Sequence, residues 1–214
     1  MSLIPEEHKE HVRSELEEKL EKPVTIVMFT QEIECQSCAQ TRRLLTEFAA
    51  LSNKISLEVY DFVADAAKAK EYGVDKVPAI IVLGEKDYGV RFYGLPYGYE
   101  FQTFLEGVIS VSTGKTDLSE ETKKKLKEVK KPVRIQVFVT LTCPYCPMVA
   151  SLAYKFATEN DMVKADVVEV SEFPHLGVKY AIMGVPKTVI NEKTEFVGAF
   201  PEDLFLEHII LAAA

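Results

Sequence analysis

The chain repeats itself, and the repeat restricts its possible folds more than any other feature. "EKPVTIVMFTQEIECQSC" (Glu21 to Cys38) resembles "KKPVRIQVFVTLTCPYC" (Lys130 to Cys146). Both begin Lys-Pro-Val, run through apolar residues and end in C-x-x-C. Cys35 maps onto Cys143 at an offset of 108, which also maps Asp61 onto Glu169, Tyr72 onto Tyr180, Val77 onto Val185 and Pro78 onto Pro186. Chance rarely sets a cysteine pair and a Val-Pro pair at one spacing twice, so the pattern implies a tandem duplication. The polar stretch Ser112 to Asp117, which contains Gly114, marks the join. The expected units are residues 1–114, with "CQSC", and 115–214, with "CPYC".

Each half reads in the same order. An amphipathic helix opens it, at Glu6 to Lys22 and again at Leu118 to Lys130, with Asp117 and Glu120 as N-cap and N3 of the second. A β-branched strand follows, Val24 to Phe29 or Val133 to Val139. The C-x-x-C then opens a helix, Cys38 to Leu51 or Cys146 to Thr158. A second strand (Ser56 to Phe62, Asp166 to Val170) leads to a short helix ending at Tyr72 or Tyr180. After Val-Pro come two strands, Ala79 to Leu83 with Val90 to Tyr93, and Lys187 to Ile190 with Glu195 to Val197. A closing helix spans Tyr99 to Val111 or Glu202 to Leu211. Strand, crossover helix and strand give a parallel pair, to which a hairpin adds antiparallel strands, so the fold class is α/β.

Composition narrows the chemistry. The net charge of −8 argues against a nucleic-acid partner. No apolar run approaches the ~18 residues that span a bilayer. "MSLIPEEHKEHVRSELEEKLEK" has no apolar core of a signal peptide, so a cytoplasmic location is expected. Three Asn and five Gln beside many Glu and Lys lean towards a thermophile. In a cytoplasm, C-x-x-C signals redox chemistry or metal more often than a structural staple.

Thiol–disulfide exchange needs an accessible thiolate and a second thiol to resolve the mixed disulfide. Residues i and i+3 at a helix start satisfy both, because free N–H groups there stabilise an anion. Cys35 and Cys143 are therefore expected to attack, and Cys38 and Cys146, one turn inside, to resolve. Pro144 is placed at N1. Two alternatives stand beside this reading. One is a zinc site built from both pairs, although a Cys₄ site usually takes its second pair ~15–20 residues on. The other is inert core cysteines. No metal ligand is assigned: His8 and His11 share a helix face without a third donor, and His175 and His208 are isolated. "STGKT" lacks the first glycine of a phosphate loop, since Ile109 stands there. Tyr88, Tyr93, Tyr97 and Tyr99 read as packing residues. The recurrence of Val-Pro after each cysteine pair leads us to expect cis bonds that leave the N–H and C=O of Val77 and Val185 free for a substrate peptide beside Pro78 and Pro186.

With these residues in place, the chain resembles the protein disulfide oxidoreductases of hyperthermophiles, two tandem thioredoxin-fold units with glutaredoxin-like "CPYC" and both cysteine pairs intact. The resemblance implies two units, each a central mixed sheet flanked by helices. It implies a cytosolic dithiol–disulfide oxidoreductase related to protein disulfide isomerase, with no cofactor besides its cysteines. Implied partners are protein disulfides, a thioredoxin-reductase-like flavoprotein and, as a further candidate, a peroxiredoxin. An electron relay from a flavoprotein to one dedicated partner is the alternative enzyme, and a zinc-stabilised scaffold the non-enzyme alternative. Thioredoxins carry a buried acid about six residues before the first cysteine; here that region is Phe29 or Val137 and Phe138, so no proton acceptor is evident. Glu32 and Glu34 read as solvated loop charge or as groups that raise the Cys35 pKa. Asp65 reads as a helix cap. Pro-Tyr and Gln-Ser differ in rigidity and hydrogen bonding, so the two pairs should differ in potential, with the Pro-Tyr pair carrying most reductase activity.

Overall fold

The structure, a computed structural model, describes residues 2–214. The first half contains α1 (Glu6–Lys19), β1 (Val24–Thr30), α2 (Cys38–Ala49), β2 (Ile55–Asp61), α3 (Ala66–Tyr72), β3 (Ala79–Leu83), β4 (Asp87–Tyr93) and α4 (Glu100–Thr113). The second contains α5 (Glu120–Leu126), β5 (Val133–Val139), α6 (Cys146–Glu159), β6 (Val163–Glu169), α7 (Pro174–Lys179), β7 (Lys187–Ile190), β8 (Thr194–Val197) and α8 (Glu202–Ala213), with one 3₁₀ turn at Val170–Glu172 after β6.

The strands form one eight-stranded sheet in the order β2-β1-β3-β4-β6-β5-β7-β8. Each half supplies the same four-strand pattern, and the halves join where β4 pairs parallel with β6, Val90 opposite Ala165 through Tyr93 opposite Val168. That seam explains why β4 is buried from Tyr88 to Tyr93 although it would be the edge of an isolated unit. The buried Arg91 on β4 bonds Asp87 on its own strand, and the Tyr154 hydroxyl on α6 donates to the Arg91 carbonyl at 2.8 Å. Side chains alternate across the sheet with period two. Ile26 and Met28 enter one core, together with Phe48, Phe104, Phe156 and Phe205, while Val27 and Phe29 enter the opposite one with Ile81, Phe138 and Val168. Both cores draw on both halves.

Strand directions settle where the cysteines lie. β1 is antiparallel to β3, β3 to β4, and β4, β6 and β5 are mutually parallel, so β1 and β5 point the same way. Both C-x-x-C segments therefore leave the same edge of the sheet. Four strand intervals separate β1 from β5, roughly 19 Å at ~4.8 Å each.

Several boundaries differ from expectation. β6 begins at Val163 because the ladder with β5 starts at Val133 opposite Val163. β4 begins at Asp87, which reaches Leu83 across an irregularity after Val82. α1 ends at Lys19; past it, Lys54 donates to the Leu20 carbonyl at 2.6 Å. α5 is only Glu120–Leu126, since Asn160 takes the Leu126 and Val129 carbonyls at 2.6 and 3.1 Å. Its N-cap is Ser119, whose hydroxyl accepts from the Thr122 N–H, and not Asp117, which instead pairs with Lys155 at 2.7 Å. Asp65 precedes α3, but its carboxylate accepts from the Asp61 N–H behind it rather than capping forward.

Candidate active site

Each cysteine pair is a disulfide with its Cα atoms 5.5 Å apart, Cys35 with Cys38 and Cys143 with Cys146. The helices start where expected, at Cys38 and Cys146, but the first cysteines do not sit at the helix start. α2 starts at Cys38 and α6 at Cys146, so the second cysteine is the first helical residue and the first cysteine stands one turn outside the helix. Ser37 and Tyr145 are the N-cap residues, and neither side chain makes a capping hydrogen bond. The first cysteine still precedes the unpaired N–H groups of the opening turn, which favour a thiolate. Pro144 lies in the turn before α6, while Pro147 takes the early helical position where a missing N–H costs nothing.

The two pairs are unequally open. Cys38 and Cys146 are buried, Cys35 is half-buried and Cys143 is 8% exposed. The Val77–Pro78 and Val185–Pro186 bonds are cis. The Val185 carbonyl stands 3.8 Å from the Cys143 sulfur. The structure thus brings Val185 and Pro186 to the second cysteine pair. Among the described residues, no hydrogen bond engages the backbone N–H or C=O of Val77. The hairpins that follow are held alike, with the Gly94 N–H on the Pro78 carbonyl and the Gly198 N–H on the Pro186 carbonyl. Around the second pair, Tyr145, Met148 and Met183 (97% exposed) present apolar surface.

A single metal ion cannot hold both pairs: at roughly 19 Å along the sheet they lie far beyond the ~2.3 Å of a zinc–thiolate bond. Each pair is a separate centre.

An acid is present where the sequence pattern did not suggest one. Glu100 opens α4 of the first half and is wholly buried; among the described residues no hydrogen bond reaches either carboxyl oxygen. Its pKa is pushed up to about 7, first by burial and then by the Glu169 charge. α4 runs alongside α6: the Tyr99 N–H donates to the Leu141 carbonyl at 3.1 Å, Ser151 donates to Glu106 at 2.5 Å, and a Cβ on Gly107 would touch the Tyr154 ring. That register sets Glu100 abreast of the first turn of α6. Glu169, at the end of β6, is also buried, and its pKa is raised by burial and by Glu172. One signal could have identified Glu100: it heads the α4 stripe Thr103, Phe104, Gly107, Val108 and Val111, an acid in line with core residues. Glu32 and Glu34 are exposed, as are Tyr97 and Tyr99, whereas Tyr88 and Tyr93 pack in the core. The His208 Nδ1–H donates to the Leu204 carbonyl at 2.9 Å, and the ring packs on Phe196.

A thioredoxin domain family model matches residues 24–106 and again 133–211. The chain is 36% identical over 78 residues to a thioredoxin of Methanocaldococcus jannaschii, which covers 36% of this chain and 92% of that protein. The crystal structure of a protein disulfide oxidoreductase from Aeropyrum pernix K1 superposes with a TM-score of 0.91 at 32% identity, over 98% of this chain and 94% of that one. An alkyl hydroperoxide reductase component of Escherichia coli is 23% identical over 176 residues, or 82% of this chain; the match spans only 32% of that protein's length.

Proposed function

The chain belongs to the thioredoxin domain family and is a thiol–disulfide oxidoreductase, and we propose that it acts on protein disulfides through two separate centres, Cys35 with Cys38 and Cys143 with Cys146. The observation that carries this reading is the repeated geometry: one cysteine pair per matched segment, each at the C-terminal end of a central parallel strand. In the reducing direction, the Cys143 thiolate attacks a substrate disulfide, one substrate sulfur leaves as a thiolate and takes up a proton, and a mixed disulfide forms. Cys146 loses its proton and attacks Cys143, which frees the second substrate sulfur. The substrate gains two electrons and two protons, and the centre closes as a disulfide. The Val185 N–H and C=O beside Pro186 pair with the substrate backbone, and Tyr145, Met148 and Met183 give it an apolar seat. The buried Cys146 must release its proton away from bulk water, and Glu100 at the head of the neighbouring helix is the group that receives it. At the first centre, Cys35 and Cys38 play the same parts beside Val77 and Pro78.

In this reading residues 1–114 and 115–214 are the two units, no cofactor is needed beyond the cysteines, and the protein works in the cytoplasm; no helix among the described residues is long and apolar enough to cross a membrane. Its electrons come from a thioredoxin-reductase-like flavoprotein. Relay to a dedicated partner such as a peroxiredoxin is the second reading, favoured by the likeness to the alkyl hydroperoxide reductase component over 82% of the chain. Reduction potentials of each pair, measured with the other pair changed to Ser, test the main reading. Two reversible couples within reach of a cytosolic poise of roughly −220 to −320 mV support it. A pair that never titrates, or tightly bound zinc on unreactive thiols, overturns it.

A further inference from the structure

The CQSC centre is held by a carboxylate from the other half of the chain. Glu172 ends the 3₁₀ turn after β6, next to the seam of the sheet. One of its oxygens accepts the Leu95 N–H at 2.7 Å, and the other accepts the hydroxyl of Ser37, the residue between the cysteines that adjoins Cys38. Both oxygens act as acceptors, the role an ionised carboxyl fills. The approach requires a glycine at Gly94: its φ is +105°, and a Cβ there would lie 2.9 Å from a Glu172 oxygen and 2.9 Å from the Glu169 Cβ. The Glu172 N–H in turn donates to Glu169 at 3.0 Å, so the residue is anchored at both ends.

Among the described residues, the CPYC centre has no such contact. Tyr145 stands where Ser37 stands and is 66% exposed, and Ala64 occupies the position 108 residues before Glu172. We propose that Glu172 is a positioning residue that makes Cys35–Cys38 the more reducing centre, through a fixed negative charge and its hold on Ser37. This rests on the redox reading of both pairs.

The physical reason is direct. Reduction of Cys35–Cys38 by an incoming dithiol breaks the S–S bond through a mixed disulfide, adds two electrons and two protons to the pair, and releases the donor as its disulfide. Any thiolate present in the reduced pair is disfavoured by a like charge nearby. Ser37, donating to Glu172, does not donate to that thiolate. A less stabilised reduced form has a lower potential, the converse of oxidants whose reduced form is stabilised.

The test uses the full chain with Cys143 and Cys146 changed to Ser, and compares Glu172→Gln and Ser37→Ala with the parent by equilibration against a reference dithiol. Glu172→Gln keeps the size and an acceptor but removes the charge. We expect it to shift the equilibrium towards the dithiol by about three- to tenfold, up to about 30 mV, and to speed iodoacetamide capture of Cys35 at pH 7. The same substitution, in a chain with Cys35 and Cys38 changed to Ser, should leave the Cys143–Cys146 equilibrium unchanged. Ser37→Ala, which loses the tether but keeps the charge, should shift the first pair less than Glu172→Gln does. A first pair that titrates reversibly but does not move with Glu172→Gln, or equal movement of both pairs, would overturn the role of Glu172 while leaving the redox reading intact. A first pair that does not titrate at all overturns both.

Discussion

The Tyr99 N–H donates to the Leu141 carbonyl across 3.1 Å, and so the first half of the chain builds part of the loop that carries the second half's cysteines. Leu141 lies two residues before Cys143. The neighbouring Gly98 is pressed against the same carbonyl: a Cβ there would sit 2.5 Å from the Leu141 oxygen, on a backbone with φ +59°.

Gly98→Ala should therefore disturb the CPYC centre from outside its own repeat. Left-handed backbone strain and a contact with a rigid carbonyl together should cost on the order of 1–3 kcal/mol. Urea unfolding measures that cost. In insulin reduction the turnover through Cys143 should fall several-fold, while iodoacetamide capture of Cys35 stays at the wild-type rate. Equal loss at both centres would mean that the fold, not the loop, had failed.

Glu100 gives the protein a pH dependence of defined sign. Its folded pKa lies at about 7, above the ordinary 4.5, because burial disfavours the charge. Between these values the folded chain keeps a proton that the unfolded chain has lost. Stability should fall as pH rises from 4.5 towards 7 and then level off, by an amount on the order of 3 kcal/mol at ~1.4 kcal/mol per unit. Glu100→Gln should flatten that slope in urea unfolding across pH 4.5 to 8. It should also slow release of the mixed disulfide at Cys143. An unchanged slope would show that Glu100 ionises as freely as an exposed acid.

The two first cysteines should differ in reductase work. Tyr145, Met148 and Met183 offer Cys143 an apolar docking surface, while the CQSC loop is tied to Glu172 through Ser37. In insulin reduction by dithiothreitol, Cys143→Ser should remove most turnover and Cys35→Ser should remove a minor part. Complete loss from Cys35→Ser alone would reverse the ranking.

Much of this arrangement was legible in the chain. Paired cysteines and paired Val-Pro at an offset of 108 gave the duplication, and with it the order of elements, because each motif is local and its spacing survives in the string. Cap assignments were less legible. Asp117 lies close to α5, yet Lys155 holds it and Ser119 caps the helix, a choice made by a residue of α6. The helix starts at Cys38 and Cys146 were legible, but Cys35 and Cys143 stand in the preceding loop and not at the helix start, because Ser37 and Tyr145 hold the N-cap positions.

Sequence by itself determined the thioredoxin-type units, the pairing of the four cysteines and the Val-Pro positions, since local spacing carries the chemistry of a disulfide and its turn. Only the tertiary structure decided that β4 and β6 fuse two sheets into one, that both centres share an edge roughly 19 Å apart, that Glu172 bonds the other half's CQSC loop through Ser37, and that Glu100 is buried with its pKa raised. Those contacts join residues far apart in the chain or depend on burial across a packed seam, and neither long-range approach nor desolvation leaves a periodic mark on the chain.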